Sequence, residues 1–334
     1  MALVTNSARF SKESRPAILT EDLAAEAQDV VVRLIDNVEH VVQGKRETAM
    51  LAVTCLLAEG HLLVEDKPGT GKTSLARAIA ASIGGSAKRI QFTPDLLPTD
   101  ITGVTIYDPR GAEFRYREGP VFANIVIADE INRASPKTQA ALLEVMEERN
   151  VTADGISRPV PRPFMVLATQ NPLDFQGTYP LPEVQLDRFA MKLGIGYTDR
   201  VTELNVIASR IIADPVTELV PVLADAPLRR FIELVRTVDV AESLREYIVD
   251  IVMKTREHRD LRLGVSTRGT LTLVGIAKAY AVGDGRNWVS PDDIKAVAVP
   301  VLAHRIAVTP EAELDGITAT DLLDEILNSV PVPR

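Results

Sequence analysis

The sequence is poor in the residues that build disulfides and metal centres. Among its 334 residues there is one cysteine, Cys55, which excludes an internal disulfide and fits a reducing cytosol. The four histidines, His40, His61, His258 and His304, are scattered, and none forms a HExxH pair or another metal-ligand spacing. No stretch reaches the roughly 18 uninterrupted apolar residues that a membrane span needs. Met1 to Arg15 mixes charged side chains with Ser and Asn and lacks the apolar run of a signal peptide. A cytoplasmic protein with a short N-terminal tail is therefore expected. Basic charge is also in deficit: 37 Lys and Arg face 46 Asp and Glu, a net charge of −9. Such a surface repels phosphate backbones, so nucleic acid is not an expected partner. Internal repeats and low-complexity tracts are missing as well.

What is present is a large supply of core. Hydrophobic residues make up 46% of the chain, and the length suggests about two or three domains. A helical pattern runs from Thr20 to Glu59, broken near Val42-Gln43-Gly44. Short β-rich runs follow at His61–Glu65, Arg89–Phe92, Ile125–Ala128 and Phe164–Ala168, with helical stretches between them. That alternation predicts a parallel sheet covered by helices on both faces. Ser135-Pro136 supplies a capping hydroxyl and a first-turn proline, so a helix should run through Leu142, Leu143 and Met146. Two segments interrupt the alternation. Gly103–Glu118, with a turn at Asp108–Gly111, and Val151–Arg162, with Asp154-Gly155, read as β-hairpin insertions. Beyond Tyr197 the strands stop. Leu244, Tyr247, Ile248, Ile251 and Val252 follow helical spacing, Ser290–Asp293 is a capped helix start, and Thr320–Leu327 suggests a last helix.

The chemistry sits at strand ends. Asp66-Lys67-Pro68-Gly69-Thr70-Gly71-Lys72-Thr73-Ser74 follows the first strand and precedes a helix. Gly69 and Gly71 let backbone N–H groups curl around phosphate oxygens with no Cβ in the way. Lys72 would place an ammonium on the β and γ phosphates of ATP, Thr73 would offer a hydroxyl to Mg²⁺, and the helix N-terminus adds partial positive charge. The pattern normally opens with Gly; here that position is Asp66. The apolar strand ending in Asp129-Glu130 would face the same crevice, with Asp129 toward Mg²⁺ and Glu130 polarising the attacking water. Asn171, after the strand Phe164–Ala168, could orient that water. Arg188 could reach the γ-phosphate of a neighbouring subunit, or simply pair with Asp187 at the surface. Arg268, in Gly264-Val265-Ser266-Thr267-Arg268, could contact the phosphates from the C-terminal helical region, or be a solvated helix-end arginine.

Together these motifs resemble the AAA+ ATPases, and more closely the MoxR family, over roughly Val41 to Ile306. The most specific stretches are Gln91–Gly103, Gly119–Phe122, Ala128–Ala134, Gly177–Glu183 and Leu186–Phe189. The resemblance implies an α/β P-loop fold with a parallel sheet flanked by helices, two hairpin inserts and an all-α lid. It divides the chain into a tail over 1–19, a nucleotide-binding domain over 20–197 and a lid over 198–334. Asp129 and Glu130 look like the Walker B pair, Asn171 like sensor 1, Arg188 like the arginine finger and Arg268 like sensor 2. Val42 and Gly44 sit where relatives hold adenine, and Pro68 to Ser74 where they hold phosphates. The hairpins look like the helix-2 insert and the pre-sensor-1 hairpin. Such proteins are thought to form hexameric rings that act as chaperone-like ATPases. They often work with a von Willebrand factor A domain partner in metal-cofactor insertion or complex maturation. No Asp-x-Ser-x-Ser motif occurs here, so any such partner is a separate chain. Two alternatives stand beside this: a nucleotide-gated scaffold with little turnover, and a nucleic-acid-dependent motor, which the acidic charge disfavours.

Overall fold

A computed structural model describes residues 19–67, 69–170, 178–212, 214–222 and 225–333. The Thr20 hydroxyl caps α1 (Glu21–Val41), and a turn containing Gly44 leads into α2 (Arg46–Leu57). The sheet-forming part follows in strict alternation: β1 (Leu62–Glu65), α3 (Lys72–Ser82), β2 (Ala87–Gln91), α4 (Pro98–Thr102). A hairpin, β3 (Gly103–Asp108) with β4 (Glu113–Glu118), intervenes before β5 (Ile125–Asp129) and α5 (Pro136–Glu148). A second hairpin, β6 (Asn150–Ala153) with β7 (Ile156–Pro159), precedes β8 (Met165–Gln170), α6 (Glu183–Leu186) and β9 (Met191–Leu193). The remainder is α7 (Arg200–Ile212), α8 (Asp225–Val235), α9 (Glu242–Glu257), β10 (Leu261–Leu263), α10 (Thr267–Gly283), α11 (Pro291–Leu302), β11 (Ala307–Val308), α12 (Pro310–Leu314) and α13 (Ala319–Ser329).

Five strands form one parallel sheet in the order β2-β5-β8-β1-β9. Its two faces are buried, and strand residues alternate between them as the pleat requires. Leu62, Val64, Ile125, Ile127, Met165 and Leu167 join the core built by α1, α2 and α3. Leu63, Val126, Ala128, Val166 and Ala168 join the opposite core, under α5 and Ile101 of α4. The registers Glu65↔Gln170 and Gln91↔Asp129 bring the C-terminal ends of four strands to one edge of the sheet. That edge is where ligands bind in open α/β sheets.

Most local expectations hold because they rest on local chemistry. The Ser135 hydroxyl accepts from the Thr138 N–H, with Pro136 in the first turn of α5. Ser290 and Asp293 form a reciprocal capping box on α11. Both hairpins are present, and they are joined: the Thr105 hydroxyl bonds the Asp154 carboxylate, and the Arg158 guanidinium lies 4.0 Å from the centre of the Tyr116 ring. One expectation is corrected. Strands do not end near Tyr197, since β10 and β11 pair antiparallel inside the helical region. At three and two residues they are too short for alternation to register in sequence. The edge strand β9 goes unread for the same reason. Among the described residues no helix is long and apolar enough to cross a membrane.

The helical region is fastened to the sheet through Arg305, which is almost wholly buried. Its Nε donates to Asp187 Oδ1 at 2.7 Å, and Nη2 donates to the carbonyls of Asp187 at 3.2 Å and Phe189 at 2.5 Å. Nη1 donates to the Ala190 carbonyl at 3.2 Å and to that of Val301. Removing one partner of a buried pair strands the other. Arg305→Met is therefore expected to lower the unfolding free energy by about 3–5 kcal/mol in urea titrations. A loss below roughly 1 kcal/mol, the range of exposed pairs, would show that the clasp is not needed.

Candidate nucleotide site

The turn after β1 carries the phosphate-binding sequence onto the N-terminus of α3. Gly71 caps that helix with φ +96°, and Gly69 has φ +83°. Both values lie in the left-handed region that side chains avoid. A Cβ built on Gly69 meets nothing within 4 Å, and one on Gly71 meets only Val42 Cγ1 at 3.9 Å. The loop thus frames open space into which any side chain would intrude, as a phosphate cradle requires. Lys72 Nζ donates to the Asp66 carbonyl at 2.5 Å. Burial pulls the Lys72 pKa below the ordinary lysine value, and the carboxylates of Asp66, Asp129 and Glu130 oppose that pull.

The cradle opens into a cleft of about 560 Å³. Gly69, Thr70, Gly71, Lys72, Thr73 and Ser74 form its floor. Asp129, Glu130 and Thr169 stand on one side; Val41, Val42, Gln43 and Lys45 stand on another, with Tyr197, Glu203 and Val206 closing it from the start of α7. Val42 lies at the cleft, as read from sequence. Gly44 serves beside it: a Cβ there would sit 3.0 Å from the Thr202 side chain, so glycine lets the α1–α2 turn press against α7. Pro68 and Asn171, read as a phosphate-loop residue and a water-orienting residue, lie outside the described residues.

The two acids at the end of β5 are already partnered. Asp129 Oδ2 accepts from Arg89 Nε at 2.5 Å, and Oδ1 accepts from the Thr169 hydroxyl at 3.2 Å. Glu130 has left-handed backbone angles, φ 56° and ψ 49°, which turn its side chain off the strand line. Its Oε2 accepts from Gln91 Nε2 and Arg133 Nη1, both at 2.9 Å, and its N–H donates to the Thr169 hydroxyl at 2.9 Å. Thr169 on β8 therefore ties the acids together from the strand between β5 and β1. Arg89, Gln91 and Thr169 were assigned no role in sequence, although Gln91 opens the stretch Gln91–Gly103 that carries the resemblance. Arg89 and Gln91 lie on β2, beside β5, and nothing local in that strand states which carboxylates its side chains would meet. The donor set is of the kind that suits a nucleoside triphosphate with a hard cation: Thr73 and Asp129 carry oxygen donors that could face a cation, and the loop's backbone N–H groups could face an anion.

Arg188 and Arg268 are brought together, but elsewhere. Arg188 Nη2 and Arg268 Nη1 each lie 3.1 Å from a different oxygen of Glu147, at the end of α5. They line a second cleft with Gly60, His61 and Arg149, at the start of β1, whereas the phosphate loop is at its end. Arg268 thus lines the second cleft and not the one that holds the phosphate loop of its own subunit. Asp187, the alternative surface partner of Arg188, instead binds Arg305 and the Ser266 hydroxyl at 2.9 Å. His61 is buried beneath this second cleft. Desolvation, with Arg149 nearby, lowers its pKa to about 3 and keeps it neutral, accepting from the Val166 N–H through Nδ1.

The comparisons agree with this geometry. A family model described as "ATPase family associated with various cellular activities (AAA)" matches residues 61–191, and one described as "AAA lid domain" matches 253–326. YeaC of Bacillus subtilis (strain 168) is 50% identical over 90% of this chain and 94% of its own. Chaperone MoxR1 of Mycobacterium tuberculosis is 38% identical over 94% of this chain and 85% of its own. A crystal structure of a candidate ATPase from Cytophaga hutchinsonii superposes with a TM-score of 0.88 at 36% identity, covering 94% of this chain and 98% of the other. A P-loop at the sheet edge, a lid clasped to it and near full-length likeness to proteins of that name make this chain a member of the MoxR family of AAA+ ATPases.

Proposed function

We propose that this chain forms a ring, hexameric by family resemblance, in which each subunit completes its neighbour's ATP site, and that hydrolysis drives chaperone-like remodelling or maturation of a partner complex in the cytoplasm. The observation that carries the reading is the separation of the two clefts. Phosphoryl transfer builds negative charge on the γ-phosphoryl oxygens, and an arginine reaching them is worth about 10³–10⁵ in rate. Arg188 and Arg268 face away from their own phosphate loop and are arranged around the two oxygens of one carboxylate, Glu147. A neighbour's γ-phosphate presents the same anionic oxygens to that pair. Contacts made by one arginine from the sheet and one from the lid would carry nucleotide state across the interface.

Within a subunit, Lys72 and the loop N–H groups bind the phosphates, and Val42 with the turn beside it faces the base. Thr73 and Asp129 would hold Mg²⁺, which supplies charge neutralisation at the phosphates. Glu130 activates water, with Asn171 keeping the orienting role read for it in sequence. A separate von Willebrand factor A domain protein and its client, a metal-cofactor enzyme among the candidates, fit this reading as partners. The net charge of −9 supports a protein rather than a nucleic-acid client.

Three outcomes test the reading. Lys72→Ala should abolish ATP binding in calorimetry, because it removes the main ammonium at the β and γ phosphates; unchanged affinity would refute the site. Glu130→Gln should retain ATP while turnover falls by about 10²–10⁴, since an amide cannot take a proton from water. The same variant should hold its client in a pull-down, and near-normal phosphate release would place the base elsewhere. Arg188→Ala should keep ATP affinity and lose hydrolysis, and mixing it with Lys72→Ala should restore part of the rate. Subunit exchange proven by mass photometry, with no recovered activity in the mixture and a linear fall in rate as each variant is diluted into wild-type subunits, would rule out a finger acting in trans; a steep fall would mean that hydrolysis needs every site in the ring intact.

A further inference from the structure

The first residue of the phosphate loop is unusual, and its side chain is fully engaged. Asp66 Oδ2 accepts from two successive backbone N–H groups, Ile195 at 2.8 Å and Gly196 at 2.6 Å. Oδ1 accepts from the Lys67 N–H at 2.7 Å. Partial burial favours the neutral acid, yet these backbone donors outweigh it and hold the carboxyl below the usual range. Ile195 and Gly196 belong to the link that leaves β9 and enters α7. Gly196 has φ +70°, and the residues just after it, Tyr197 and Thr198, with Glu203 and Val206 of α7, form one wall of the nucleotide cleft. Two weaker contacts act on the same wall. Lys45 Nζ donates to the Tyr197 carbonyl at 2.8 Å, and Lys67 Nζ lies 5.0 Å from the centre of the Tyr197 ring.

A glycine at position 66 could make none of the carboxylate's bonds. The acid also brings a negative charge toward phosphates, which by itself disfavours binding. Its presence is explained by what it holds: the loop under the phosphates and the wall beside the nucleotide become one unit. We propose that Asp66 is a positioning residue that clamps the β9–α7 link to the phosphate loop and thereby sets how long nucleotide stays bound. Asp66 takes no part in proton or phosphoryl transfer. It acts through the wall, so the property it controls is nucleotide release.

The test is the dissociation rate of a fluorescent ADP, mant-ADP, in stopped-flow displacement by excess ATP, with the full chain and its Asp66→Gly and Asp66→Asn variants. Glycine is the residue the P-loop pattern carries there, so Asp66→Gly should fold, and a thermal melt checks this. Charge-assisted bonds to two N–H groups are lost, and release should accelerate about tenfold. KM for ATP should rise similarly, and kcat should not fall. Asp66→Asn keeps an acceptor oxygen for the link while removing the charge, and should stay within about threefold of wild type. Two results would overturn the clamp: release from Asp66→Gly within about twofold of wild type, or Asp66→Asn as fast as Asp66→Gly. The second would mean that the charge acts on Lys72 instead. Binding of mant-ADP that is lost in Lys72→Ala keeps the site assignment separate from the clamp.

Discussion

The buried guanidinium of Arg305 is the joint on which the two halves of the molecule depend. A charged group can be kept out of water only if its donors are met, and here they are met by the segment from Asp187 to Ala190. That segment leads directly into β9, the edge strand paired with β1. It also contains Arg188, whose neighbours on both sides have their carbonyls fixed by Arg305. One interaction therefore sets the lid against the sheet, delivers β9 to its register and aims an arginine at the second cleft. The Asp187 carboxylate extends the joint by accepting from Ser266, the cap of α10, two residues before Arg268.

Much of this was legible in the sequence where the cause is local. Caps at Ser135 and Ser290 fix helix starts through hydrogen bonds spanning three residues, and those starts are found where the sequence puts them. Strands β1, β5 and β8 are apolar runs buried on both faces, and such runs announce themselves. The phosphate loop is a contiguous motif for the same reason. Nonlocal choices were not legible. That Asp129 would be held by Arg89, and Glu130 by Gln91, depends on β2 lying beside β5, which no residue in either strand states. The order of motifs along the chain gave Arg268 a plausible partner but no side of the sheet. Its true neighbours, Glu147 and Arg188, come from two other parts of the chain.

The charged groups of the cleft are partnered by the protein itself. Lys72 rests on a carbonyl, Asp129 on Arg89, and Glu130 on Gln91 and Arg133. Each of these groups has a protein partner within the cleft. Such pairing limits the cost of holding several ionisable groups near one another in a partly desolvated cleft.

The bracing between the two hairpins has a mechanical side. Thr105 with Asp154 and Tyr116 with Arg158 act as struts, so the pair resists bending as one beam rather than two. The beam has two roots in the sheet. The chain from β4 runs through Gly119 into β5, and the chain from β7 runs through Phe164 into β8. Those strands are hydrogen-bonded neighbours, and they end at Asp129 and just beyond Thr169. A load applied at the tip, where Tyr107 and Phe114 stand exposed against each other, is divided between these two roots. These two strands are the ones whose ends carry Asp129 and Thr169 of the cleft, so the braced hairpins and those two side chains stand on the same pair of hydrogen-bonded strands.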